Sequence, residues 1–108
     1  MIEISDADSG SSRLLTRGEE LLVQLPENPT TGFRWQFTQS GSGRLRLIED
    51  RFEHGVTAGA VAVGAAGRRV VRFAAEASGS LVLEALERRE WEPPTANNQK
   101  KVFSLEVR

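Results

Sequence analysis

The stretch Leu21-Leu22-Val23-Gln24-Leu25-Pro26-Glu27-Asn28-Pro29-Thr30-Thr31-Gly32-Phe33-Arg34-Trp35-Gln36-Phe37 decides the fold. Its second half alternates strictly. Phe33, Trp35 and Phe37 fall on one face of an extended chain, and Arg34 and Gln36 on the other, the period-two pattern of a half-buried strand. Its first half is the short apolar run Leu21-Leu22-Val23-Gln24-Leu25, which Pro26 is expected to stop because proline cannot donate to a strand ladder. Between the halves, Pro29 fixes its own φ and holds Asn28 extended or turned. Gly32 can take a positive φ and return the chain to the next strand. Thr30 and Thr31 lie between these stiff points, each β-branched and each offering a methyl and a hydroxyl. Such a loop is preorganised and loses little entropy on docking. Read locally, a structural turn closing one end of a sandwich is the better account of it.

Working outward, strand signals dominate. Ile2 and Ile4 alternate with polar neighbours, Leu45-Arg46-Leu47 repeats the pattern, and Val70–Phe73, Leu81–Glu87 and Val102–Val107 are further candidates. Gly/Ser breaks at Ser9-Gly10-Ser11-Ser12, Ser40-Gly41-Ser42-Gly43 and Ser78-Gly79-Ser80 separate them. The break after Ala77 is hairpin-sized, which predicts that strands 69–77 and 80–88 are antiparallel neighbours. The Ala- and Gly-rich stretch 58–66 lacks helical periodicity and reads as a loop or irregular strand. About seven to eight short strands in one domain spanning 1–108 predict an all-β, immunoglobulin-like sandwich.

Composition excludes several classes of function. A chain of 108 residues without cysteine can bury a core without staples and holds neither thiolate metal site nor cysteine nucleophile. Fourteen basic against 15 acidic residues, net −1, leave no concentrated basic surface for nucleic acid. No apolar run approaches the roughly 18 residues that span a bilayer. The first residues, Met1-Ile2-Glu3-Ile4-Ser5-Asp6, are polar and acidic. They predict a cytoplasmic chain, or a secreted or periplasmic one if a leader has been removed. His54 is the lone histidine, with no Gly-x-Ser-x-Gly elbow and no second ligand; it reads as an ordinary strand-end or loop residue. The neighbours Glu19-Glu20 and Glu49-Asp50 read as a solvated face. No P-loop or dinucleotide fingerprint is present. No enzyme, metal or cofactor is expected, and the chain is expected to be monomeric.

Two further loops are candidates beside the first. Gly64-Ala65-Ala66-Gly67 is small enough to let backbone approach a partner and hydrogen-bond along a cleft, or it is merely a flexible connection. Arg89-Glu90-Trp91, followed by Pro93-Pro94, places a tryptophan where the chain leaves the sheet, as a core plug or as an exposed anchor of the kind found at binding hot spots. In a sandwich of antiparallel strands, loops two strand crossings apart emerge at one end. Strand 33–39 and a return through 45–57 separate the first loop from the second. Strands 69–77 and 80–88 separate the second from the third. All three loops then share one end, provided that 45–63 contributes a single strand.

These residues resemble the chagasin family, inhibitors of papain-like cysteine peptidases. Asn28-Pro29-Thr30-Thr31-Gly32, followed by Trp35, matches that family's first inhibitory loop, Asn-Pro-Thr-Thr-Gly, residue for residue. Gly64-Ala65-Ala66-Gly67 resembles the Gly-x-Gly-Gly of its second loop, with Ala66 in place of glycine. Arg89-Glu90-Trp91 resembles the Arg-Pro-Trp of its third, with Glu90 in place of proline. The likeness runs from about residue 20 to 107. It implies an immunoglobulin-like sandwich and reversible competitive inhibition by three loops wedged in the protease cleft. Thr30 and Thr31 would face the catalytic cysteine and histidine, the second loop would follow the substrate cleft, and Trp91 would pack on the primed-side wall. The competing readings are a non-inhibitory sandwich that binds another protein or peptide, a structural or cell-surface module, and a small hydrolase.

Overall fold

The structure, a computed structural model, describes residues 1–27, 32–53, 67–89, 91 and 99–108. Eight strands lie among the described residues: β1 (Ile2–Ser5), β2 (Ser12–Leu15), β3 (Glu20–Glu27), β4 (Arg34–Gly41), β5 (Arg44–Glu53), β6 (Gly67–Ala77), β7 (Gly79–Arg88) and β8 (Lys100–Val107), with a single 3-10 turn at Asp6–Asp8. They form two four-stranded sheets, ordered β1-β3-β6-β5 and β2-β8-β7-β4. The pairings β1 with β3 and β2 with β8 are parallel, and the others are antiparallel. This is the expected β-sandwich. Alternation builds its core: Leu21, Val23 and Leu25 of β3, Val71, Phe73 and Ala75 of β6, Leu81, Leu83 and Ala85 of β7, and Phe103, Leu105 and Val107 of β8 all point inward and are buried. Phe37 meets Phe73 edge to face across the layers, with ring centroids 5.9 Å apart.

Three sequence readings change. First, β3 continues through Pro26 to Glu27 instead of stopping before it. β1 pairs with β3 only at residues 21 to 24, so the missing N–H of Pro26 costs the ladder nothing. Second, β6 and β7 are not hairpin partners. β6 is flanked on both edges by β3 and β5, and β7 by β4 and β8, so neither strand has a free edge for the other. Ser78 instead carries the chain from one sheet to its partner, a crossing as short as a hairpin. Third, Ser12–Leu15 is a strand and not only part of a Gly/Ser break; its parallel pairing with β8 supplies the order that its weak alternation does not.

The β4–β5 connection crosses between the sheets in the opposite direction. The two crossings meet, and the Gly43 N–H donates to the Ser80 carbonyl at 3.1 Å. Gly41 sits in this junction at φ 121°, where a Cβ would collide with the Ser80 carbonyl and lie 2.8 Å from the Leu81 Cα. On the open flank of the sandwich the Gln39 side-chain amide donates to the Leu45 carbonyl (2.9 Å) and accepts from the Leu45 N–H (2.8 Å). It thereby takes the place of a neighbouring strand at the free edge of β5.

Gly41→Ala is expected to destabilise the fold by about 2 kcal/mol or more beyond Gly18→Ala, because both positions have positive φ but only Gly41 also meets backbone. Urea melts of the two variants check this.

Candidate functional site

The core does not stay apolar to both ends. Continuing the inward alternation of β3 past Leu25 brings up Glu27, and continuing that of β6 back past Val71 brings up Arg69. Both therefore land inside the sandwich at the end where β3, β5 and β7 finish and β4, β6 and β8 begin. Glu27 is only 3% exposed. Its carboxylate accepts from Arg69 Nη2 at 2.6 Å and Nε at 3.2 Å, and from the backbone N–H of Trp35 at 3.0 Å. The indole N–H of Trp35 donates to the Pro26 carbonyl at 2.7 Å. The two ends of the first candidate loop are thus tied together by two bonds, from the Trp35 backbone N–H to the Glu27 carboxylate and from its indole N–H to the Pro26 carbonyl, while the two bonds from Arg69 join the same carboxylate to β6.

Arg69 also reaches Asp50 Oδ1 with Nη1 at 3.0 Å. A bulge makes this possible. Between Leu47 and Glu49 the pairing of β5 with β6 shifts by one residue at Ile48. Leu45 and Leu47 pair with the inward Ala75 and Phe73 before the shift, and Asp50 with the inward Val71 after it. The extra residue re-aims Asp50 at the arginine. Burial works against the charge of Arg69, but its hydrogen bonds to Glu27 and Asp50 outweigh that and raise its pKa. Nearer the surface, Glu53 at the end of β5 pairs with Arg68 (3.0 Å) and Arg51 (2.7 Å). β7 contributes Glu87, the next inward position after Ala85, opposite Trp35. Burial, and then the charge of Glu27, push the Glu87 carboxyl above its ordinary value.

Of the residues singled out in the sequence, Gly32, Gly67, Arg89 and Trp91 are described; Asn28, Pro29, Thr30, Thr31, Gly64, Ala65, Ala66 and Glu90, together with His54, lie outside the described residues. Gly32 adopts φ 79°, and a Cβ there would lie 2.5 Å from Cη2 of Trp91. The ring of Trp91 therefore rests on the glycine backbone, while the residue stays 73% exposed. It is held out to solvent and is not a core plug. The Arg89 guanidinium stacks 4.4 Å above the Phe33 ring. The third candidate loop thus leans on the exit of the first through two contacts. Gly67 is the first residue of β6, opposite Glu27, and not a loop residue. A Cβ there would collide with the Glu53 carbonyl and lie 2.5 Å from Cζ of Phe52, so close packing at the strand end accounts for the glycine. Strand β5 runs singly to Glu53, which lies beside Arg68. The three connections leave from one end, as the crossing count predicted. Among the described residues no group of His, Cys, Asp and Glu could hold a metal.

Among the described residues this end is a hydrogen-bonded platform with an exposed tryptophan. Residues 15–107 match the family model described as Chagasin family peptidase inhibitor I42. The chain belongs to this family. The family is one of peptidase inhibitors. Among curated proteins it is similar to Chagasin of Trypanosoma cruzi, 24% identical over 102 residues that cover 91% of this chain and 90% of that protein. In fold it is similar to the cysteine protease inhibitor EhICP2 from Entamoeba histolytica, with a TM-score of 0.85 at 17% identity over 99% of this chain and 95% of that one. It is also similar to Amebosin, with a TM-score of 0.69 at 20% identity over 99% and 97% of the two chains. A third likeness is to PbICP-C, solved in complex with falcipain-2, with a TM-score of 0.64 at 15% identity over 98% and 89%.

Because the folded pKa of Glu87 is raised above the unfolded value of 4.5, its favourable contribution is present below that value and is lost as the pH rises through the folded one. At neutral pH its charge opposes folding. Glu87→Gln should raise the melting temperature at pH 7, and the gain should shrink towards pH 4, as read by thermal melts across that range.

Proposed function

We propose that the chain inhibits papain-like cysteine proteases through a three-part wedge made by Asn28-Pro29-Thr30-Thr31-Gly32, Gly64-Ala65-Ala66, which Gly67 joins to β6, and Arg89-Glu90-Trp91. The observation that supports this best is the contact of Trp91 with Gly32, because it sets the exposed indole of the third segment against the exit of the first. In this reading Thr30 and Thr31 enter the catalytic centre of the protease. Pro29 and the turn at Gly32 keep the loop bent, so no scissile bond is presented in an extended register, and inhibition is steric and reversible. The second segment lies along the substrate cleft through its main chain. Trp91 covers the primed-side wall with its exposed ring.

The interface would be of the standard protease–inhibitor size, ~1,600 Å² in total, with a few anchors dominating its energy. Ala66 removes positive-φ conformations that a glycine would allow. Glu90 returns a backbone N–H and a free φ where a proline would be fixed, and adds a negative charge at the rim. These departures alter selectivity among proteases more than they alter the mode of binding.

Titration of papain with the purified protein should give competitive inhibition. Thr30→Ala or Thr31→Ala should weaken it by about 2 kcal/mol, roughly thirtyfold in Ki, and Trp91→Ala by less. If all three variants inhibit like the parent, the wedge is wrong.

A further inference from the structure

The stems of the wedge are joined by a cluster whose two central members, Glu27 and Arg69, are withdrawn from the surface. Glu27 immediately precedes the first loop and Trp35 follows it. Asp50 lies just before the second loop and Arg69 just after it. Glu27 accepts from both Trp35 and Arg69, and Arg69 donates on to Asp50. The side chains of Glu27 and Arg69 are 1% and 13% exposed. The bonds run between both arms of one loop and both arms of the other. An arginine is suited to this, because its planar fork serves two carboxylates at once in fixed directions.

We propose that Glu27 and Arg69 are positioning residues for inhibition, locking the first and second loops in one mutual arrangement before the protease arrives. The proposal rests on the three-part wedge. Its physical content is a preformed population. A loop pair that samples many arrangements binds with its dissociation constant divided by the fraction that is competent, and when loop motion is faster than encounter the whole loss falls on the association rate. A residue that touches the protease acts differently, because removing a contact chiefly speeds dissociation. The buried clasp should therefore be felt in kon and the exposed threonines in koff.

The test is stopped-flow association and dissociation of papain with the parent, Glu27→Gln, Arg69→Lys, Thr30→Ala, Thr31→Ala and Trp91→Ala. Arg69→Lys keeps the net charge, so a fall in its kon is not long-range steering, and it keeps the protein measurable if Glu27→Gln fails to fold. Leu105→Ala, a core variant outside the loop-bearing end, controls for lost stability. The expected result is a kon at least threefold lower in Glu27→Gln and Arg69→Lys, with koff within twofold of the parent, while Thr31→Ala raises koff and Leu105→Ala changes neither rate. A kon within threefold in a folded clasp variant, or a loss carried by koff, overturns the positioning role while the wedge stands. If Thr30→Ala, Thr31→Ala and Trp91→Ala all keep the parent's rates, the wedge is overturned, and the positioning role with it.

Discussion

The bidentate contact between Glu27 and Arg69 is what the loop-bearing end of this molecule depends on. An isolated carboxylate or guanidinium at this depth would be costly to desolvate. Each here is satisfied by the other and by a backbone or side-chain partner on a third strand. The pair joins β3 to β6 within one sheet, and the bond from the Trp35 N–H to Glu27 carries the connection across to the other sheet. The apolar core below holds the layers together without direction. This polar layer fixes how their ends are aligned, and the ends are what carry the loops.

Much of this was legible in the sequence. The alternation about Trp35 marked a half-buried strand, and the Gly/Ser breaks marked most of the boundaries. Counting strands from the first loop placed three connections at one end, and they do leave from there. The polar layer was missed for a specific reason. Treating Pro26 as a stop cut the alternation at Leu25, one step before Glu27, and with it the signal of a carboxylate at an inward position. Carried one period further, Leu21-Val23-Leu25-Glu27 and Phe73-Val71-Arg69 would each have shown a charge entering the core at the same end. The hairpin expected between β6 and β7 failed differently. A short link fixes only distance, and the facing sheet of a sandwich is as near as a neighbouring strand. Which one the chain enters is decided by which edges are already occupied, and that is a property of the whole topology.

Family membership and local geometry meet at Gly32 and Trp91. A positive-φ glycine in a tight loop needs no further explanation than the turn it makes. Here the same residue also supplies the flat backbone on which an indole lies. The stack of Arg89 on Phe33 braces the same two segments from beside. The loss of a proline before Trp91 is thus met by contacts that do not depend on residue 90.

The amide of Gln39 has a consequence beyond its own sheet. The outer strands of an open sandwich offer unpaired N–H and C=O groups on which another chain could grow, the usual route from a native sheet to a fibre. At Leu45 both groups are already taken by one side chain of the same molecule. Three residues on, Ile48 bulges out of register and breaks the straight run that a foreign strand would need. The edge of β5 is thus closed at one point by a side chain of the same molecule and bent out of register at another, which disfavours the addition of a second copy along it.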